Sequence, residues 1–242
     1  MSIIFWVTAF FASFIGNIAA FGISSILLPV ALSVYPYKIA LALTSIFHLF
    51  NNVWRIELHR GKLDKRFFLL FGVPSTLFTF LGASMVGVFP ETFLKIGLGI
   101  VLVTYSLLGL TGSKLNFNLN KSLIILGGSV YGFLSGLLGS GGSLRGAILA
   151  SFELTGGEYI ATNGGISLVT DVTRLSVYLW NSYVPSEYYW SIPLLFIVAT
   201  LGGFSSKLVV GRIRKERFNS LIYTAVLFAS LKMLIESIAV LI

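Results

Sequence analysis

Residues Gly132 to Gly146 read GFLSGLLGSGGSLRG. Their glycines interrupt a hydrophobic segment, where each costs about 1 kcal/mol against alanine in a helix. Breakers at that density point to a backbone that opens. Ser135, Ser140, Ser143 and Arg145 share the window. Unwound backbone offers N–H groups and a positive helix terminus, both of which attract anions. Gly139, Ser140, Gly141, Gly142 and Ser143 are therefore candidate substrate contacts. The competing reading is that the glycines let helices approach closely. Arg145 is the sharpest single residue. A buried cation costs at least about 2.5–3.5 kcal/mol at the bilayer centre, so it has a partner or a task. It is a candidate anion clamp, or else a structural partner of Glu153 or Asp171.

A second set of polar residues recurs along the chain. Asn52 and Arg55 match Asp171 and Arg174 as a repeated Asn/Asp–Val–x–Arg. Residues three apart share a helix face, so each pair can touch. The functional reading is gating or an ion pair that breaks during transport; the bland one is snorkelling at a helix end. Asp171 is a candidate proton site, and so is His48, whose free pKa near 6.5 suits proton coupling. Thr44, Ser45 and Asn163 are polar groups that can face the glycine breaks. Lys232 and Glu236, four apart, are expected to neutralise each other. Tyr183, Tyr188, Tyr189 and Trp190 read as an interfacial belt.

The elements that carry these residues are membrane helices. The chain has 242 residues, 56% hydrophobic and only 11% charged, with a mean hydropathy of +0.91. That composition is an integral membrane protein in the all-α class. It has no cysteine, which excludes disulfides, thiolate metal sites and cysteine nucleophiles. The net charge of +8 is concentrated in loops, so it reads as an orientation signal and not as nucleic-acid binding. No Lys or Arg precedes Lys38, so the N-terminus lacks the basic start of a cleavable signal and reads as part of the mature protein.

Hydrophobic segments run at about 3–33, 38–56, 66–88, 92–111, 122–152, 159–180, 187–210 and 218–241. The segments 3–33 and 122–152 are too long for one straight crossing, roughly 46 Å as a helix. Both carry central breakers: Gly16, Asn17, Gly22, Ser24, Ser25 and Pro29 in the first, the opening stretch in the second. A shift of 119 residues lays Gly22 on Gly141, Ser24 on Ser143, Asn52 on Asp171, Arg55 on Arg174 and Pro74 on Pro193. The expected organisation is a repeat at 1–111, a connecting loop at 112–121 and a second repeat at 122–242. Gly22, Ser24 and Ser25 then become first-half counterparts of the second break.

Loop charge orients the halves. If every segment crosses once, the cations divide evenly between the two sides. If each broken segment is a hairpin that enters and returns, the basic loops 55–66, 112–121 and 207–217 fall together. Twelve cations then face Lys38 and Lys95. Such a bias is the normal state of membrane proteins. The expected fold is a polytopic membrane protein of two inverted repeats, each a re-entrant helical hairpin of two half-helices of about 14 residues plus three transmembrane helices. The basic loops are expected in the cytoplasm and both termini outside.

The chain resembles the TauE/SafE family of sulfite exporter-like permeases. The resemblance rests on a Gly-rich run in each half followed by apolar residues and a proline, with a downstream Ala–x–x–Thr–Ser element. Here the second run is Gly136, Gly139, Gly141 and Gly142, with Ser143 in the next glycine place and Ile148 where the proline would stand. The first half keeps Gly22 and Pro29, and Ala42, Leu43, Thr44 and Ser45 look like the downstream element with one residue between Ala and Thr in place of two. The second counterpart, at Ala161, Thr162, Asn163 and Gly164, has drifted. The resemblance implies export of a small sulfur-containing anion such as sulfite, thiosulfate or sulfoacetate. No ATP-binding GxxxxGKS/T run occurs, so transport is expected to use a gradient, with protons as a possible coupling ion. No cofactor is expected. An uncoupled anion permease is the alternative within transport. A membrane-embedded enzyme is the alternative outside it, disfavoured because His48 and His59 form no metal motif. A scaffold subunit would leave the repeat and Arg145 without purpose.

Overall fold

The computed structural model describes residues 2–19, 23–58, 63–112, 120–150, 156–209 and 215–241. Gly22, Glu153 and His59 lie outside the described residues, as do the side chains of Arg55 and Ser143 and the loop cations Arg60, Lys62, Lys114, Arg212 and Arg214. Among the described residues the structure is all helix, without a strand.

The first half runs α1 (Ile3–Ala19), α2 (Ile23–Leu32), α3 (Tyr37–Leu58), α4 (Lys65–Phe67), α5 (Val73–Met85) and α6 (Glu91–Leu110). A π-turn over Phe68–Gly72 joins α4 and α5 into one span. Pro74 accounts for it, because its ring lacks an N–H and crowds the carbonyl four residues back. The second half runs α7 (Lys121–Leu138), α8 (Gly142–Ala150), α9 (Gly156–Trp180), α10 (Ser191–Val209) and α11 (Lys215–Ala239). Shifted by 119 residues, α1 falls on α7, α2 on α8 and α3 on α9.

Five spans are long and apolar enough to cross a membrane: Lys65–Met85, Glu91–Leu110, Lys121–Leu138, Ser186–Leu208 and Asn219–Ala239. The chain is a multi-pass membrane protein. Helices α3 and α9, of 22 and 25 residues, are long enough but carry polar stripes that lower their hydropathy.

Both broken segments fold back on themselves. The backbone N–H of Ser2 donates to Tyr35 Oη at 3.0 Å, bringing the start of α1 to the end of α2. In the second half Arg145 of α8 lies over Tyr131 of α7, and a Cβ on Gly127 would stand 2.7 Å from Ile148 Cδ1. The arms are unequal, 17 and 10 residues in the first hairpin and 18 and 9 in the second. That corrects the expected 14-residue halves. In the second hairpin the cause is local. Gly139 takes the left-handed conformation (φ 71°) and caps α7 only after the helix has run nearly a full span.

Helices α3 and α9 pack together in opposite directions. Lys38 sits over the Tyr183 ring, Asn52 meets Asp171 midway, and the Asp64 amide donates to Thr162 Oγ1. Residue numbers rise along one helix as they fall along the other. Arg66 and Lys121 line one cavity of about 330 Å³ with Asp64 and Asn120, so the starts of α4 and α7 share an end of the bundle.

Two glycine positions that read as part of the opened backbone are packing surfaces instead. In α7, Gly132 and Gly136 lie inside a continuous helix. A Cβ there would collide with Ser75 O and Thr79 O of α5, and one on Gly128 would stand 2.5 Å from Phe71 O. Close backbone approach of this kind is how helices associate where no water drives them together. The true opening is narrower, Gly139 to Gly141.

Candidate functional site

The two hairpin tips meet in the interior. Ser25 Oγ of α2 and Ser140 Oγ of the second break are 3.5 Å apart, and both residues are buried. Gly139 has no room for a side chain, since a Cβ would run into Leu41 of α3 and stand 3.2 Å from Leu28 of α2. Ser24 is buried beside Ser25. The sequence-derived candidates Ser24, Ser25, Gly139, Ser140, Gly141 and Gly142 are thus brought to one region. Ser143 lies there by its backbone.

Arg145 is one turn into α8 and only 4% exposed. Its Nε donates to Asn163 Oδ1 of α9 at 2.6 Å, and its Nη1 donates to Tyr131 Oη of α7. The guanidinium carbon stands 5.1 Å from the Tyr131 ring centroid. These partners are neutral. The expected pairing with Asp171 is not found, because that carboxylate is already committed. Among the described residues no carboxylate lies within ion-pair distance of Arg145. The buried guanidinium is thus held by an amide, a phenol and a ring face.

Asp171 is the centre of a separate cluster on the α3–α9 seam. Arg174 Nη2 stands 2.9 Å from Asp171 Oδ1, one turn along the same helix. His48 Nδ1 lies 2.9 Å from Oδ2, and the Asn52 amide donates to the same oxygen. Asp171 and Arg174 are each 2% exposed. Burial at that level is tolerated only where charges are paired and hydrogen-bonded. Asn52 therefore reaches across to the other half of the molecule.

Arg174 also reaches the second tip. Its Nη1 donates to Gly139 O at 3.0 Å and Ser135 O at 3.4 Å, while Tyr178 donates to Gly136 O and Tyr37 to Leu137 O. These carbonyls close the last turn of α7, where Ser135 O also accepts from the Gly139 N–H. A cation and two phenols thus gather at the negative end of α7.

Other predicted residues fall differently. Ser45 donates its hydroxyl back to Leu41 O of its own helix at 2.7 Å, so it is not turned to a tip. Thr44 Oγ1 is buried without a partner, as are Asn52 Oδ1 and Ser167 Oγ. Lys232 and Glu236 stand 3.7 Å apart on the exposed face of α11.

Sequence reasoning missed the residues that hold the charged ones. Tyr131 was hidden because a tyrosine in an apolar run reads as packing. Ser13, Asn17 and Asn51 form a buried network at the first hairpin, with Ser13 Oγ donating to Asn51 Oδ1 at 2.5 Å. Asn17 was read only as a helix breaker. Their signal was spacing: Ser13 and Asn17 are four apart, as are Phe47 and Asn51, whose amide donates to Phe47 O.

Among known families, the model of the sulfite exporter TauE/SafE family matches residues 5–233. No curated protein and no solved structure matches the chain.

Proposed function

Because the chain belongs to the sulfite exporter TauE/SafE family, a family of transporters and not of enzymes, we propose that it is a secondary exporter of a small sulfur-bearing anion bound between its hairpin tips. The observation that carries this reading is Arg145. A buried cation at the break, hydrogen-bonded only to neutral partners among the described residues, invites an anion as its counter-charge. The positive end of α8 adds to it. Ser25 and Ser140 complete the lining from the two tips, with Ser24 beside them; Gly22 and the Ser143 side chain, candidates from the sequence, lie outside the described residues. The site is asymmetric and leans on the second half, since Ile26 stands where α8 has Arg145.

The antiparallel course of α3 and α9 supports an inverted repeat, the plan that lets one half rock against the other around a central site. The basic loops then face the cytoplasm and the termini face outside. Coupling falls to the seam. Protonation of Asp171 would loosen Arg174, which also holds the second tip. His48 and Asn52 touch the same carboxylate, and Arg55 is the first-half counterpart of Arg174.

A second reading has its own support. Asp171 is fully matched by Arg174, His48 and Asn52, as a purely structural carboxylate would be, and the protein would then be an uncoupled anion permease. Purified protein heated with sulfite, thiosulfate, sulfoacetate, acetate and chloride tests the site. Sulfur oxyanions should raise the melting temperature and the Arg145→Ala variant should lose that rise. An equal response of variant and wild type would refute the site.

A further inference from the structure

We propose that Tyr131 is a positioning residue for Arg145 and that Gly142 sets the size of the anion that reaches it. The inference rests on the anion-site reading above and adds which edge of the guanidinium meets the ligand.

Two of the three nitrogens of Arg145 are engaged, Nε by Asn163 and Nη1 by Tyr131. Nη2 makes no hydrogen bond to any described residue. It points at Gly142, the first residue of α8. A Cβ added to Gly142 would meet no other atom within 4 Å, and Nη2 would lie 3.6 Å from it. The missing side chain therefore leaves open space against a donor edge that no described residue uses. The first-turn N–H groups of α8 border the same space without intrahelical partners. A single oxygen of a compact oxyanion, arriving end-on, takes donors from both.

Tyr131 is itself held in place. Its ring stacks on Phe71 of the π-turn, with centroids 5.6 Å apart and planes 26° from parallel. Its Oη lies 3.2 Å from Thr170 Oγ1, and Thr170 donates its own proton to Ile166 O at 2.9 Å. Ser167 O, at 3.0 Å, is a second acceptor for the same hydroxyl, so the Thr170 proton goes to the backbone of its own helix. Thr170 accepts from Tyr131, and the Tyr131 oxygen is left to accept from Arg145. The phenol thus sits in one rotamer and one polarity, and turns Nη2 toward Gly142.

The test is sulfite binding to purified full-length protein, with the melting temperature of the ligand-free protein read alongside. Gly142→Ala should weaken sulfite at least about tenfold, because its methyl occupies the oxygen's place beside Nη2. Its ligand-free melting temperature should match wild type, since that methyl touches nothing else. Tyr131→Phe keeps the stacked ring and should weaken sulfite about tenfold, the loss of one charge-assisted hydrogen bond that orients the cation. Wild-type affinity in both variants, with binding abolished in Arg145→Ala, would overturn this inference and leave the anion site standing. A Gly142→Ala protein that fails to fold would also overturn it. Wild-type affinity in Arg145→Ala would instead remove the anion site itself.

Discussion

Asn52 and Asp171 occupy the same position in the two halves of the chain, 119 residues apart, and the amide of one donates to the carboxylate of the other. Their helices bring matching stripes together: Thr44, His48, Asn52 and Arg55 on α3, and Asn163, Ser167, Asp171 and Arg174 on α9. The carboxylate occurs on one side only. Positions that match in sequence thus differ in charge, and Asp171, Arg174 and Arg145 all belong to the second half.

The Asp171–Arg174 pair should behave as a buried ion pair. Removing either partner strands the other, at a cost of about 3–5 kcal/mol. Unfolding of Asp171→Ala and Arg174→Ala in detergent should show losses of that order. The double variant should lose less than the sum, because each single change leaves a charge without its match. Strictly additive losses would mean that the contact carries little energy.

The glycines of the opening stretch divide into two classes. Gly132→Ala and Gly136→Ala drive a methyl into the backbone of α5 and should destabilise by at least about 1–3 kcal/mol. Gly139→Ala adds a left-handed backbone strain to a clash with Leu41. Thermal melts of the three against Gly142→Ala should rank Gly142→Ala as the mildest by a clear margin. Equal melting temperatures for all four would contradict the packing described for α5 and α7.

Topology can be read by labelling single cysteines in intact cells, since the chain has none of its own. Lys65→Cys and Lys121→Cys should react from the same side, and Glu187→Cys from the other. Labelling of Glu187→Cys from the same side as Lys65→Cys and Lys121→Cys would end the hairpin account, because a single crossing by every segment puts all three together.

Proton coupling makes a separate demand. Wild-type flux should rise with an imposed pH gradient, and His48→Gln and Asp171→Asn should each flatten that response while sulfite still binds. Flux in wild type that ignores the gradient would favour the uncoupled permease.

Much of this architecture was legible in the residues. Segment lengths and central breakers pointed to broken helices, and the 119-residue shift matched Asn52 with Asp171 as equivalent positions, although not as partners. Arg145 stood out because a charge in an apolar run has few explanations. What could not be read was partner choice. Arg145 had Asp171 within sequence reach, yet the carboxylate lies with Arg174 one turn away, and the arginine settles on Tyr131 and Asn163. Gly132 and Gly136 looked like Gly139, because composition does not distinguish a glycine that opens a helix from one that lets a neighbouring backbone approach. Ser45 kept its hydroxyl on its own helix, a bond that any buried serine can make and that spacing does not forbid.

The central claim is that Arg145 is the counter-charge of a transported anion. Labelled sulfite uptake into proteoliposomes, wild type against Arg145→Ala, tests it most directly. The account predicts saturable uptake by wild type and a loss of about a hundredfold or more in the variant, as for removal of a buried charge-assisted contact to the substrate. Uptake by Arg145→Ala at the wild-type rate and half-saturation would contradict it.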